Sequence, residues 1–287
     1  MRIASIVLFF LLAMLAWSSP ARAARSFDNC KGFITSVPAV ISSPGTWCLK
    51  QDVTTAITSG DAITVSVNNV ILDCNDFRLD GVAAGLGTTA LGVHALNHKN
   101  VTVRNCKILG FYRGVYFEGS GGGHVIEDNH FDKNVYEAAF VHGDGSVIRH
   151  NLATDTGGST VTAAANGIGA AGGVDMIDNT IDGLFVASGS GGSVIGIDLN
   201  SNSTGSVIGN RVQGLLSDGG GEQDGIEVGP NSRVAIRRNE LVSNGVAPGF
   251  GVTCGDARVR EHDNTISGFA TNYDGICGDA GENDFVP

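Results

Sequence analysis

Residues 224–245 read DGIEVGPNSRVAIRRNELVSNG. Gly225-Ile226 opens a short alternating run, and Asn239 closes a second run rich in Val and Ile. The same two marks recur along the chain. Gly-Val or Gly-Ile stands at 92, 114, 167, 196, 225, 251 and 275, with Ala62 and Ala138 in the Gly slot of two further copies. An Asn closes the following run at Asn75, Asn105, Asn129, Asn151, Asn179, Asn210, Asn239 and Asn264, a period of about 27 residues. The quoted stretch is therefore one turn of a repeat.

Periods of this size build solenoids or propellers, in which each unit is one supersecondary element. The apolar runs are only three to five residues long, rich in Val and Ile, and separated by Gly, Asn, Ser and Asp. No segment carries an apolar stripe at helical spacing over ten residues, and neither leucine-rich nor propeller-blade signatures occur. The reading is an all-β chain: a solenoid of about nine coils, each made of short strands that stack on their neighbours as parallel sheets. Asn suits a left-handed corner, and stacked Asn amides can bond along the axis. Gly suits a tight corner or a close approach of adjacent backbones.

The chain starts MRIASIVLFFLLAMLAWSSPARA. One charge, an apolar run and Ala21-Arg22-Ala23 have the layout of a secretory leader, expected over 1–23. The run is too short for the roughly 20 residues that span a bilayer, and no later stretch is long and apolar enough. The expected organisation is leader 1–23, N-terminal cap 24–60, and β-helix with C-terminal cap 61–287, secreted or periplasmic. The formal net charge of −11 becomes more negative once Arg2 and Arg22 leave with the leader. That argues against nucleic acid and anionic membranes, which are bound through Lys and Arg.

The spaced Gly-Ile and Val-Ile-x-x-Asn marks resemble the right-handed parallel β-helix of the pectin-lyase-like superfamily, over about Asp61 to Gly278. The resemblance implies the fold. It leaves activity open, because the scaffold is implied to host lyases, hydrolases, epimerases and proteins without known chemistry. Within such a stack, Cys74 and Cys106 flank the same corner of neighbouring coils, near the strand spacing a disulfide can bridge. Cys254 pairs with Cys277 near the last Gly marks, and Cys30 with Cys48 around an N-terminal cap. An even count of six in an exported chain agrees.

The residue after each Gly is Val or Ile and points inward, so the next one points outward. That slot reads Thr64, His94, Tyr116, Phe140, Gly169, Asp198, Glu227, Thr253 and Cys277. Two positions on it reads Ser66, Leu96, Glu118, His142, Ala171, Asn200, Gly229, Gly255 and Asp279. Two clusters emerge. His94, Tyr116, Glu118 and His142 are candidates for proton abstraction beside a uronate carboxyl, with Phe140 as a sugar-facing ring and Arg113 to neutralise the carboxylate. Asp198 and Glu227 on adjacent coils suit paired-carboxylate glycosidase work; with Asp224 they could instead hold calcium, which takes oxygen ligands. Like charges one rung apart should push one pKa up. The paired-Asp, His-Gly and Arg-x-Lys motifs of polygalacturonase-type enzymes are not evident around DGIEV. GSGGGH at 119–124 lacks the helix and the Lys-Ser/Thr ending of a phosphate loop.

The expected partner is an extracellular polysaccharide, met by a uronate-directed lyase or epimerase. The alternative is a non-catalytic adhesive or envelope-associated β-helix whose regular face only binds.

Overall fold

The computed structural model describes residues 27–245, 247–256, 258–273, 277–279 and 284–286. The expected leader at 1–23, and Gly275 and Ile276 of the last Gly mark, lie outside them. Among the described residues there is no α-helix, only a single 3₁₀ turn at Val82–Ala84. Nothing in them is a helix long and apolar enough to cross a membrane.

Three parallel sheets of 11, 10 and 10 strands run the length of the molecule, and every strand pairs with its counterpart one coil away. The chain passes from a Gly mark into the first sheet, turns into the second, passes the Asn corner into the third, and loops back. Strands Gly32–Phe33 to Val53–Thr54 already stack in these sheets beneath the coil that starts at Asp61.

The register of the first sheet carries the pattern read from the Gly marks. Ile63, Val93, Val115, Ala139, Ile168, Ile197, Ile226 and Val252 are aligned and fully buried. The Gly slot owes its composition to crowding between coils rather than to an unusual φ. A Cβ on Gly92 would lie 2.3 Å from the Gly114 carbonyl oxygen, and one on Gly196 would lie 2.6 Å from that of Gly225. The slot points inward as well, so each coil has two successive buried positions before alternation resumes, as at Asp61–Val65 and Arg113–Glu118. The residue before the Gly slot therefore faces outward.

At the other corner, six buried Asn side chains form one continuous ladder from Asn129 through Asn151, Asn179, Asn210 and Asn239 to Asn264. Each Nδ2 donates to the next Oδ1 at 2.9–3.1 Å. It also donates to a backbone carbonyl of the preceding coil, as Asn179 does to Ile148 O at 2.9 Å. The left-handed backbone expected of these Asn belongs to the residue before each one: Asp128, His150, Asp178, Gly209, Arg238 and Asp263. Asn75 and Asn105 are themselves left-handed, and Cys106 takes the ladder position, its N–H donated to Asn129 Oδ1 at 3.0 Å. The Cys74–Cys106 disulfide thus continues the line where the amides stop. Cys30–Cys48 and Cys254–Cys277 are also formed.

One expected position moves. The first sheet ends with Thr271–Tyr273, and Tyr273 lies beneath Val252. Cys277 is buried beside Cys254 rather than outward, and Asp279 belongs to the second sheet.

Candidate functional site

Outward side chains of the first sheet stand in three rows. The row expected after the inward Val or Ile is present in register from Thr64 through His94, Tyr116, Phe140, Gly169 and Asp198 to Glu227 and Thr253. A second row contains Leu96, Glu118, His142 and Ala171. The third precedes the Gly slot: Asp61, Leu91, Arg113, Glu137, Asn166, Ile195 and Asp224. Arg113 is the only Arg or Lys in these rows among the described residues.

His94, Tyr116 and Glu118 come together in one hydrogen-bonded chain, which Asp61 extends. Asp61 Oδ2 lies 2.8 Å from His94 Nδ1, and Glu118 Oε1 lies 3.2 Å from Nε2. Both ring nitrogens thus face carboxylate oxygens. The Tyr116 hydroxyl donates to Glu118 Oε2 at 2.6 Å, and the Thr64 hydroxyl donates to Asp61 at 2.9 Å. Burial, aided by this bond to Glu118, raises the Tyr116 pKa, which keeps the phenol protonated. The His94 and Tyr116 rings stack at 5.6 Å. His142 lines an open groove of about 520 Å³ together with Tyr116, Glu118, Phe140 and Asn200.

Arg113 lies among four aromatic rings. Its guanidinium carbon is 4.3 Å from the Tyr116 ring centre, 5.1 Å from Tyr136, 5.4 Å from Phe140 and 6.0 Å from Tyr112. Its Nε–H is donated to Glu137 Oε2 at 2.6 Å. Glu137 is fully buried, and burial pushes its pKa up to about 8 against the pull of Arg113. Its Oε1 has no hydrogen-bond partner; a Cβ on Gly169 would lie 2.3 Å from it. The bare Gly169 therefore makes room for this carboxyl.

The second expected cluster is connected to the first. Asp198 and Glu227 are in register on adjacent strands, and Asn166 Nδ2 donates to Asp198 Oδ2 at 3.0 Å. Asp198 is pushed up to about 6, mainly by burial, with Arg113 opposing. Glu227 is raised by burial first and by Asp198 second, so desolvation outweighs the like-charge effect expected from the pair. Asp224 sits in the pre-Gly row, pushed up to about 6 by burial while it accepts the Phe250 N–H at 2.8 Å. Asp198, Asp224 and Glu227 do not gather their oxygens within 4.8 Å of one another. Among the described residues only Cys254, Glu261 and Cys277 do, and those sulfurs are joined in a disulfide.

Asp61, Glu137 and Asn166 were not legible as site residues, since strict alternation back from the inward Val or Ile turns them toward the core. Loops before the first-sheet strands stack into a wall beside these rows. The Thr160 N–H is donated to Leu86 O at 3.1 Å, and the Asp218 N–H to Gly192 O at 3.1 Å.

The family model of the right handed beta helix region matches residues 40–184. Among solved structures, the mannuronan C-5 epimerase AlgE6 A-module of Azotobacter vinelandii is similar at 12% identity and a TM-score of 0.41, covering 88% of each chain. The Agl-KA catalytic domain is similar at 11% identity and a TM-score of 0.32, covering 84% of this chain and 57% of that one. No curated protein matches.

Proposed function

The chain belongs to the right-handed β-helix family, and from that premise we propose that it is a secreted or periplasmic protein acting on extracellular polysaccharide through the face around Tyr116. The reaction is proton transfer at a uronate ring, as in a lyase or an epimerase. The observation that carries this reading is the Asp61–His94–Glu118–Tyr116 chain, which ends in a protonated phenol at an open groove.

In this reading a uronate ring lies in the groove between Tyr116 and His142. His142 takes the proton on the carbon next to the carboxyl, breaking that C–H bond. The electron pair then follows one of two courses. In elimination the bond to the glycosidic oxygen breaks, and that oxygen receives the Tyr116 proton. In epimerisation Tyr116 returns a proton to the same carbon from the opposite side. Glu118 and His94 resupply Tyr116 along the hydrogen-bonded chain. General acid–base help of this kind is worth about 10²–10⁴-fold in rate.

A second reading rests on Asp198 and Glu227, whose raised pKa values suit a carboxyl that donates a proton to a glycosidic oxygen. Calcium is the alternative occupant of Asp198, Asp224 and Glu227, and because their oxygens do not converge, holding it would need these side chains to swing together.

Turnover of uronic-acid and neutral polysaccharides, with and without calcium, separates these readings. Unsaturated ends or inverted uronates are expected, and Tyr116→Phe or His142→Ala should lower either by at least about 100-fold with cooperative unfolding retained. New reducing ends without unsaturation would move the chemistry to Asp198 and Glu227. Stable binding without any turnover would make the face a non-catalytic module.

A further inference from the structure

We infer that Glu137 is a positioning residue that holds the Arg113 guanidinium for the carboxylate of a bound uronate, and so sets the preference of the groove for acidic over neutral sugars. The inference rests on the polysaccharide reading above and names the sugar class that the same groove takes.

Sequence position gives Glu137 no evident task. It precedes the Gly slot, where alternation turns it inward, yet the double inward step at Ala138 and Ala139 brings it back to the face. Its carboxyl then occupies the space left by Gly169, almost wholly out of solvent. A buried carboxyl with one unpartnered oxygen is expensive. Among the described residues the only hydrogen bond it accepts is that of Arg113 Nε at 2.6 Å. The groups around it are Arg113 and Tyr112 from the preceding coil, Tyr136 beside it, and Asn166 and Asp198 from the two following coils.

Arg113 is fixed in two ways at once. The bond from Nε sets the plane of the fork, and the Tyr116, Tyr136 and Phe140 rings confine it. With Nε engaged by Glu137, the terminal nitrogens remain as the other donors of the fork. About a fifth of the side chain is exposed, and two of the rings packed against it, Tyr116 and Phe140, line the groove. A planar, pre-set guanidinium matches a carboxylate with two parallel bonds, which a flexible ammonium cannot do. The charge on Arg113 is also not cancelled below the high pH at which buried Glu137 ionises. In a chain of net charge −11, such a local cation is what an acidic polymer needs in order to dock.

The test is calorimetric binding of short mannuronate, guluronate and galacturonate oligomers, each beside its carboxyl-reduced counterpart. Wild type should prefer one acidic oligomer over its reduced form by at least about tenfold. Arg113→Gln should abolish that preference while sparing affinity for the reduced form. Glu137→Leu should abolish it too with Arg113 still present, whereas Glu137→Gln, which keeps an acceptor oxygen for Nε, should stay within about threefold of wild type. If Glu137→Leu fails to unfold cooperatively, Arg113→Lys replaces it: the charge remains, the fork does not, and the preference should fall about as far as in Arg113→Gln. A full preference in Glu137→Leu, or in Arg113→Lys, overturns the inference while leaving the uronate reading intact. A wild type that binds the reduced oligomers as tightly as the acidic ones overturns both.

Discussion

His124 is a neutral imidazole by construction. Its Nδ1 accepts the Val101 N–H at 3.3 Å, and its ring packs at 4.8 Å from Phe117, almost wholly buried. Burial lowers its pKa to about 4. A histidine depressed in this way contributes stability that is present above its ordinary value near 6.5 and is lost as pH falls from there toward 4. Glu137 has the opposite sign. Raised to about 8 by burial, it favours the fold below the usual carboxylate range and loses that contribution as pH rises toward 8. Chemical denaturation from pH 4 to 8 should therefore show two opposed trends, each up to about 1.4 kcal/mol per pH unit. Wild type should lose stability relative to His124→Gln as pH falls below about 6.5, and relative to Glu137→Gln as pH rises above about 5. Parallel pH curves for wild type and either variant would refute the assignment for that residue. Neither role was legible beforehand. His124 ends the GSGGGH stretch, where Gly dominates and no periodicity reveals an inward ring, and Glu137 is displaced by the double inward step at its Gly slot.

The Asn ladder shows what one element gains from a repeat. Asn179 Oδ1 accepts from the N–H and Nδ2 of Asn151, and its own Nδ2 serves Ile148 O and Asn210 Oδ1. Asn179→Ala would take the side-chain partner from the buried Asn151 N–H and from Ile148 O, while Asn210 Oδ1 keeps the Asn179 N–H and Asn151 Nδ2 keeps Ile126 O and Arg149 O, at a cost of about 2–4 kcal/mol. Asn179→Asp keeps the acceptor and loses the donors, so it should cost less at low pH, where its carboxyl can donate, than at pH 7. Urea denaturation at the two pH values measures both; equal costs for Ala and Asp throughout would mean that the ladder contributes packing only. The ladder was readable in sequence because only Asn offers this donor and acceptor pair at this length. Its left-handed partner was not. Asp, His, Gly and Arg all occupy the position before the Asn, because the stacked corner imposes that backbone conformation on whichever residue stands there. The shift at Asn105 follows from the same logic: Cys106 takes the ladder site, and the Asn mark slips back by one.

Across the whole molecule, stability is shared between neighbouring coils, so the ends open before the middle. The described chain guards both ends covalently. Cys30–Cys48 ties the first sheet-forming strands together, and Cys254–Cys277 closes the last coils over an interior position that an aliphatic residue fills elsewhere. The candidate face lies between them. His94, Tyr116, Arg113, Glu137 and His142 all stand on the coils bounded by Cys106 and the Asn129–Asn151 rungs, remote in sequence from both terminal disulfides. The two clusters expected from the sequence are in this sense one surface, joined through Glu137, Asn166 and Asp198. Their separation came from reading only the rows after each Gly. Selective reduction tests the consequence. Mild reductant that opens Cys254–Cys277 should accelerate amide exchange in Phe250–Cys254 and Thr265–Ser267 by at least about tenfold, because coil-to-coil coupling decays along a solenoid. Exchange in Arg113–Glu118 and Glu137–His142 should stay within a factor of about two, and ligand binding at Tyr116 should persist. If those central strands accelerated together with the C-terminal ones, the coils would be melting as one cooperative unit, and the terminal disulfide would govern the site as well as the end.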